Sequence, residues 1–271
     1  MELASKLKHL EEIIRKEEKA LVCFSGGVDS SLLLFLCRKY LGPDKVVALT
    51  LLSSASPPGE IDDCQNLAHV FGVKHLLIEN DVLSVPEVAA GDPRRCYFCK
   101  KELCRLARQE ADKRGIDTIF EGSNADDLKD YRPGYEAVKE FHLASPLLEA
   151  GLTKADVREV SREFDLPTSE RPALACLVTR FPYGVRVTPE ELLRVRNSEA
   201  YLLELGFQNF RVRCHGTTAR IEVPPGDIPR FSDPALRQEI VTRLKKEGFT
   251  FVALDLEGYR TGSLNETLKT L

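Results

Sequence analysis

The stretch "LVCFSGGVDSSLLLFL", residues 21–36, sets an apolar run on each side of Ser25-Gly26-Gly27-Val28-Asp29-Ser30-Ser31. The first run reads as a buried strand and the second as a helix that starts near Asp29. A plain strand-to-helix turn needs little more than one glycine and a capping Ser or Asp. This string carries more. Consecutive glycines let backbone N–H groups approach an anion without Cβ clashes. The helix start turns its positive end to the same point. Ser25, Ser30 and Ser31 add hydroxyl donors. Asp29 beside a polyphosphate makes chemical sense with Mg²⁺ between them. The turn lacks the Lys of G-x-x-x-x-G-K-[ST], so it is not a Walker loop.

Working outward, "ALVCF" (20–24), "VVALTLL" (46–52), "KHLLIE" (74–79) and "TIFEG" (118–122) read as strands. Helical patterns fall between them near 29–41, 59–71 and 95–114. Alternation of this kind predicts an α/β fold, a Rossmann-like parallel sheet with crossover helices. Such sheets bind ligands at the carboxyl ends of their strands, and the glycine turn follows the first strand. "TKADVREVSREF" (153–164) reads as a helix capped by Thr153 and Asp156. The proline-rich 167–188 has no period and reads as a loop. A helix (189–205), two strands ("FRVRCH", "ARIEV"), a helix (234–247) and a last strand ("TFVALDLE") then make a smaller α+β unit. The expected domains are 1–185 and 186–271.

Hydrophobic residues make up 43% of the 271, enough for a proper core, and the net charge of -4 gives no general pull toward nucleic acid. Leu3, Leu7, Leu10, Ile13 and Ile14 mark an amphipathic surface helix instead of the apolar core of a signal peptide. No run approaches the roughly 18 apolar residues of a membrane span. The expected setting is the cytoplasm, where structural disulfides are rare. The eight cysteines must then serve metal binding, chemistry or burial. Cys23, Cys37, Cys64 and Cys104 fit burial.

Two further stretches carry chemistry. In "EGSNADDLKDYRPG" (121–134), Gly122, Ser123 and Asn124 follow a strand and suit phosphate, while Asp126 and Asp127 suit Mg²⁺. In "RRCYFCKKELC" (94–104), Cys96 and Cys99 put two thiolates on one helical turn, a metal-chelating spacing. Cys176 in "RPALACLVTRFPYG" (171–184) is a candidate third ligand. A Zn²⁺ site, or a redox pair with a persulfide on Cys176, would use the same residues.

The S-G-G-V-D-S-S string resembles the pyrophosphate (PP) loop of the ATP pyrophosphatases. Together with G-S-N-A-D-D, D-Y-R-P-G and the Cys176 segment, it resembles the LarE family across nearly the whole chain. That family comprises the ATP-dependent sulfur transferases of nickel-pincer nucleotide biosynthesis. The resemblance implies that residues 25–31 hold the β and γ phosphates of ATP and that adenine lies near Leu51 to Ser53. It implies adenylylation of a carboxylate on pyridinium-3,5-biscarboxylic acid mononucleotide, loss of pyrophosphate, and displacement of AMP by sulfur. Some members sacrifice the cysteine matching Cys176. Cys96 and Cys99, absent from that type, point with Cys176 to a [4Fe-4S] cluster whose fourth iron can carry an extra sulfide. Arg180 is then expected at the scissile region. Arg211 and Arg213, which share a strand face with His215, are expected on the substrate phosphate. Tyr97 takes the place of an aromatic residue of the cysteine-poor members. Glu199, Glu222 and Asp227 lie where some relatives bind metal. A homo-oligomer acting on a small nucleotide is expected, with no nucleic-acid or membrane partner. tRNA thiolation, an ammonia-dependent synthetase and an ATP-sensing module with Zn²⁺ are the competing readings on this scaffold.

Overall fold

The apolar run at 20–23 alternates between two clusters. Ala20 and Val22 belong to one, Leu21 and Cys23 to the other. Side chains of a strand point to opposite faces in turn, so apolar residues at every position mean a sheet covered on both sides. The computed structural model describes residues 2–129, 133–172 and 175–270. Asp130, Tyr131 and Arg132 of the D-Y-R-P-G stretch lie outside the described residues, as do Ala173 and Leu174.

In chain order the elements are α1 (Leu3–Arg15), β1 (Ala20–Cys23), α2 (Val28–Leu41), β2 (Val46–Leu52), α3 (Glu60–Phe71), β3 (Lys74–Glu79), α4 (Pro86–Ala89) and α5 (Arg95–Asp112). They continue with β4 (Thr118–Phe120), α6 (Gly134–Glu140), α7 (Pro146–Glu149), α8 (Lys154–Glu163), α9 (Pro189–Glu204), β5 (Arg211–His215), β6 (Thr218–Glu222), α10 (Pro234–Lys246) and β7 (Phe251–Leu254). The chain divides into two compact units. One comprises Met1–Ser53, Gly59–Asp81 and Arg94–Leu174; the other comprises Ser54–Pro58, Val82–Pro93 and Ala175–Leu271.

The first unit is the α/β layer. Its sheet has the order β3-β2-β1-β4 with all pairs parallel. The chain steps from β1 to β2 to β3 in one direction and then places β4 on the other side of β1. Strand order therefore reverses between β1 and β4, which opens a ligand crevice beyond their carboxyl ends. α2 buries Leu32, Leu33, Leu34 and Leu36, each contributing roughly 1.5–3 kcal/mol. α1 buries Leu10 and Ile14 against the same cluster. The start of α8 is a capping box: Thr153 accepts from the Asp156 amide and Asp156 accepts from the Thr153 amide. The Lys6 ammonium donates to that Asp156 carboxylate at 2.6 Å, tying α1 to α8.

The second unit holds a sheet of order β5-β6-β7, antiparallel then parallel. A two-residue connection joins β5 to β6, with Gly216 at φ +62°, the left-handed conformation that short hairpins require. Val195 and Leu202 of α9, Val212 and Ile221 of the sheet, and Ile240 and Leu244 of α10 are buried. Among the described residues no helix is long and apolar enough to cross a membrane.

Candidate active site

The glycine turn sits at the carboxyl end of β1. Gly26 adopts φ +68°, and a Cβ there would lie 2.9 Å from Cys64 Sγ and 3.3 Å from Arg171 Nη1. Only glycine fits that position. Gly27 begins α2 with no side chain capping the helix, so the first amides remain available to an anion. Ser30 Oγ closes the turn by donating to Gly27 O at 3.2 Å and lying 3.2 Å from Ser25 Oγ. The Ser31 hydroxyl, in the first turn of α2, is fully buried and has no hydrogen-bond partner among the described residues.

The second loop follows β4 and meets the first directly. A Cβ on Gly122 would lie 3.1 Å from Ser30 N, so the two loops touch backbone to backbone. Asn124, almost fully buried, donates Nδ2 to Asp29 Oδ1 at 3.0 Å and accepts from Asp126 N at 3.0 Å. The structure thus brings Ser25, Gly26, Gly27, Asp29, Ser30, Gly122, Ser123, Asn124 and Asp126 into one constellation. Ser53 lies just past the end of β2, half-buried. An oxygen-rich set built around Asp29 and Asp126 suits Mg²⁺, which commonly takes one or two carboxylates and completes its shell from phosphates.

Beneath the second loop lies Glu121. Its carboxylate accepts from Ser123 N (3.1 Å), Ser123 Oγ (3.0 Å), Ser145 Oγ (2.5 Å) and Lys100 Nζ (3.3 Å). Burial alone would raise its pKa, but Lys100, Ser145 and Ser123 outweigh burial and hold the carboxyl below its ordinary value. Lys100 follows Cys99 on α5. This contact therefore joins the cysteine-bearing turn to the phosphate loop.

Three cations at this site escape sequence reading. Lys154 Nζ pairs with Asp29. Arg171 donates Nη1 to Gly26 O at 2.9 Å and Nη2 to Asp63 at 2.5 Å. Lys100 is the third. Lys154 and Arg171 reach the loop from 125 and 145 residues away, and no local pattern marks them.

The cysteines sort by exposure. Cys23, Cys37, Cys64, Cys104 and Cys214 are buried, Cys96 and Cys176 are exposed, and Cys99 is intermediate. Burial pushes Cys23 and Cys64 up to about 12 and Cys104 to about 11, so these remain thiols. Cys96 and Cys99 lie one turn apart at the start of α5, on neighbouring positions of the helix surface. Two thiolates so placed fit either zinc or an iron–sulfur cluster. Cys176 belongs to the second unit. Among the described residues no three His, Cys, Asp or Glu side chains form a group able to hold a metal ion. Tyr97 is buried in the core, and its hydroxyl donates to Glu140 at 2.7 Å.

In the second unit, Cys176 precedes a tight turn, Leu177–Arg180. Its carbonyl accepts from Thr179 N (3.0 Å), Thr179 Oγ1 (2.7 Å) and Arg180 Nη1 (3.3 Å). The buried Arg180 also donates to Ala175 O at 3.0 Å and grips Glu199 with Nε and Nη2. Arg213 Nη1 binds Thr179 O at 2.9 Å, while its Nε and Nη2 hold Glu222. Arg211 is buried over the Tyr259 ring. Burial and the neighbouring Arg180 hold its guanidinium below the ordinary value. Of the basic residues expected on β5, Arg213 is thus paired with Glu222, and the other carboxylates named from the sequence also serve arginines, Glu199 holding Arg180 and Asp227 holding Arg230. A cavity of about 210 Å³ opens beside Arg180, Arg213, His215, Arg220 and Arg260.

Comparison with known proteins matches the NAD synthase family model over residues 3–91. The pyridinium-3,5-bisthiocarboxylic acid mononucleotide synthase of Lactiplantibacillus plantarum is 35% identical over 269 residues, covering 98% of this chain and 96% of that protein. An uncharacterized protein of Synechocystis is 41% identical over 266 residues, covering 98% and 99% respectively. The NH(3)-dependent NAD(+) synthetase of Methanoregula boonei is 35% identical over only 83 residues, covering 28% of this chain and 34% of that one.

Proposed function

The chain belongs to the LarE family of pyridinium-3,5-bisthiocarboxylic acid mononucleotide synthases, and from that premise we propose that it is an ATP-dependent sulfur transferase of nickel-pincer nucleotide biosynthesis. The near-full-length match to the L. plantarum synthase carries this reading. The joined loops 25–31 and 121–127 support its ATP-dependent half. The match to an NAD synthetase is local, covering 28% of this chain.

In this reading a carboxylate oxygen of pyridinium-3,5-biscarboxylic acid mononucleotide attacks the α-phosphorus of ATP. The α–β anhydride bond breaks, and pyrophosphate leaves with the electron pair. A sulfur nucleophile then adds to the acyl carbon, the carbon–oxygen bond breaks, and AMP departs to leave a thiocarboxylate. The uncapped start of α2 and the hydroxyl of Ser25 hold the β and γ phosphates, with Ser123 and Asn124 facing them. Asp29 and Asp126 would hold Mg²⁺, which neutralises phosphate charge. Arg180 and Glu199 fix the backbone that presents Cys176. Arg213, which lines the 210 Å³ cavity, and Arg211 are assigned to the substrate phosphate. Cys96, Cys99 and Cys176 would hold a [4Fe-4S] cluster, which supplies sulfide when bound. The reaction is assigned to the cytoplasm and to a homo-oligomer.

The test is pyrophosphate release from Mg·ATP with and without the pyridinium dicarboxylate nucleotide, alongside iron and acid-labile sulfide analysis of anaerobically purified protein. Substrate-dependent pyrophosphate, with iron and sulfide in equal amounts that are lost in Cys176→Ala, supports the reading. Iron-free protein whose Cys176 becomes dehydroalanine would replace the cluster with a sacrificial cysteine. No substrate-dependent pyrophosphate would overturn the reading.

A further inference from the structure

Arg171 anchors one particular peptide of the glycine turn. Its Nη1 donates to Gly26 O at 2.9 Å, and its Nη2 donates to Asp63, in the first turn of α3, at 2.5 Å. Its own backbone is held from α8. Arg158 Nη2 donates to Arg171 O at 2.8 Å and Arg158 Nη1 donates to Ser169 O, while Arg171 N donates to Thr168 O at 3.0 Å. All of these residues belong to the first unit. A charge-assisted bond of this kind is stronger than a neutral one, so the Gly26 carbonyl has a firm and well-placed partner.

The consequence lies on the other edge of the same peptide. The Gly26–Gly27 bond is trans, and in a trans peptide the C=O and the N–H point in opposite directions. With Gly26 O on Arg171, the Gly27 N–H is turned away from Arg171. Glycine on both sides leaves this peptide unusually free to turn over, because neither residue has a Cβ to oppose it. The turn's own contacts fix the next peptide: Ser30 Oγ and Ser31 N both donate to Gly27 O. Arg171 fixes the one before it. We propose that Arg171 is a positioning residue for ATP: by holding Gly26 O, it keeps the Gly27 N–H presented to the β and γ phosphates. It touches the loop and not the nucleotide. A peptide turned over would set a carbonyl oxygen against the phosphates instead of a donor. Without Arg171 the binding-competent turn is only a fraction of the population, and apparent affinity falls by that fraction. Once ATP is bound the turn is in its competent form, so the chemical step is unchanged. The inference rests on the ATP-dependent reading above.

Arg171→Met and Arg171→Lys test it, with binding of α,β-methylene-ATP and of AMP measured by calorimetry in the presence of Mg²⁺. AMP is the control, since it lacks the β and γ phosphates that the turn would hold. In Arg171→Met, affinity for α,β-methylene-ATP should weaken about tenfold, as expected if the competent turn falls to about a tenth of the population. Affinity for AMP should stay within about twofold of wild type by the same reasoning. In substrate-dependent pyrophosphate release, KM for ATP should rise about tenfold with kcat unchanged, the pattern of lost uniform binding. Arg171→Lys keeps the charge without the fork and should recover part of the loss. An Arg171→Met protein that binds the ATP analogue like wild type overturns the inference alone. So does one in which analogue binding, AMP binding and melting temperature all fall together, since that marks a purely structural strap. A wild type that binds neither nucleotide overturns both the inference and the ATP-dependent reading.

Discussion

Arg180 and Glu199 form a buried, two-pronged ion pair, Nε to Oε1 at 2.7 Å and Nη2 to Oε2 at 2.9 Å, whose remaining guanidinium nitrogen holds the carbonyls of Ala175 and Cys176. Glu199 Oε1 also accepts from Val212 N at 2.9 Å. One carboxylate therefore anchors both the Cys176 turn and strand β5. Taking both charges out of water is costly, and the pair is tolerable because nearly every donor has an acceptor. Removing one partner should hurt more than removing both. Glu199→Gln should cost about 3 kcal/mol and lower the melting temperature by roughly 10 °C. The double variant Arg180→Met, Glu199→Leu should regain part of that loss, as a double-mutant cycle by thermal unfolding will show.

The two glycines of the turn should differ. Gly26→Ala forces a Cβ into the left-handed region at about 1–2 kcal/mol and against Cys64 Sγ. Gly27 has φ -72°, and a Cβ added there would meet nothing closer than Ser25 Oγ at 3.5 Å. Gly27→Ala should cost less than about 1 kcal/mol. Melting curves without nucleotide check this ordering, and adding Cys64→Ala to Gly26→Ala should relieve only the steric part.

Glu121 should link stability to pH. Its native carboxyl sits below the ordinary value because Lys100, Ser145 and Ser123 outweigh the opposing effect of burial. A depressed native pKa stabilises the fold fully above the unfolded value of about 4.3, and the benefit fades as pH falls through the native value. Glu121→Gln should therefore be about 3 kcal/mol less stable than wild type near pH 7. The gap should close in acid. Denaturant unfolding across pH 3–7 measures it.

Cysteine labelling should separate two populations. Iodoacetamide acts on thiolates that solvent reaches. Cys96 and Cys176 are exposed, whereas Cys23, Cys64 and Cys104 are buried with raised pKa values. In metal-stripped native protein, peptide mapping should find Cys96 and Cys176 modified first. Cys23, Cys37, Cys64 and Cys104 should react only on unfolding.

Much of the fold was legible because the relevant signals are local. Apolar runs at 20–24, 46–52 and 74–79 and the Thr153–Asp156 cap are readable from neighbouring residues alone, and each appears where expected. α4, α6 and α7 span four to seven residues, too short for a helical period to declare itself. Much of the first site was legible too, since each of its two loops follows its strand. Its cations were not, because Lys154 and Arg171 arrive through tertiary contacts. The alternation of Arg211, Arg213 and His215 correctly marks a strand, but it says nothing of what faces it. Arg213 pairs in register with Arg220, which sets Glu222 diagonally across from it, within reach of its fork. Register depends on pairing between strands, and a free cationic face cannot be told from a neutralised one without it.

The central claim is that this chain uses ATP to put sulfur on a carboxylate. The direct measurement is the mass of the pyridinium dicarboxylate nucleotide after anaerobic incubation with the purified protein, Mg·ATP and sulfide, with AMP counted in parallel. The expected result is replacement of carboxylate oxygen by sulfur, one AMP per sulfur gained, and no product without ATP or with Cys176→Ala. Unchanged substrate in the presence of bound nucleotide, or sulfur gained without AMP, would contradict it.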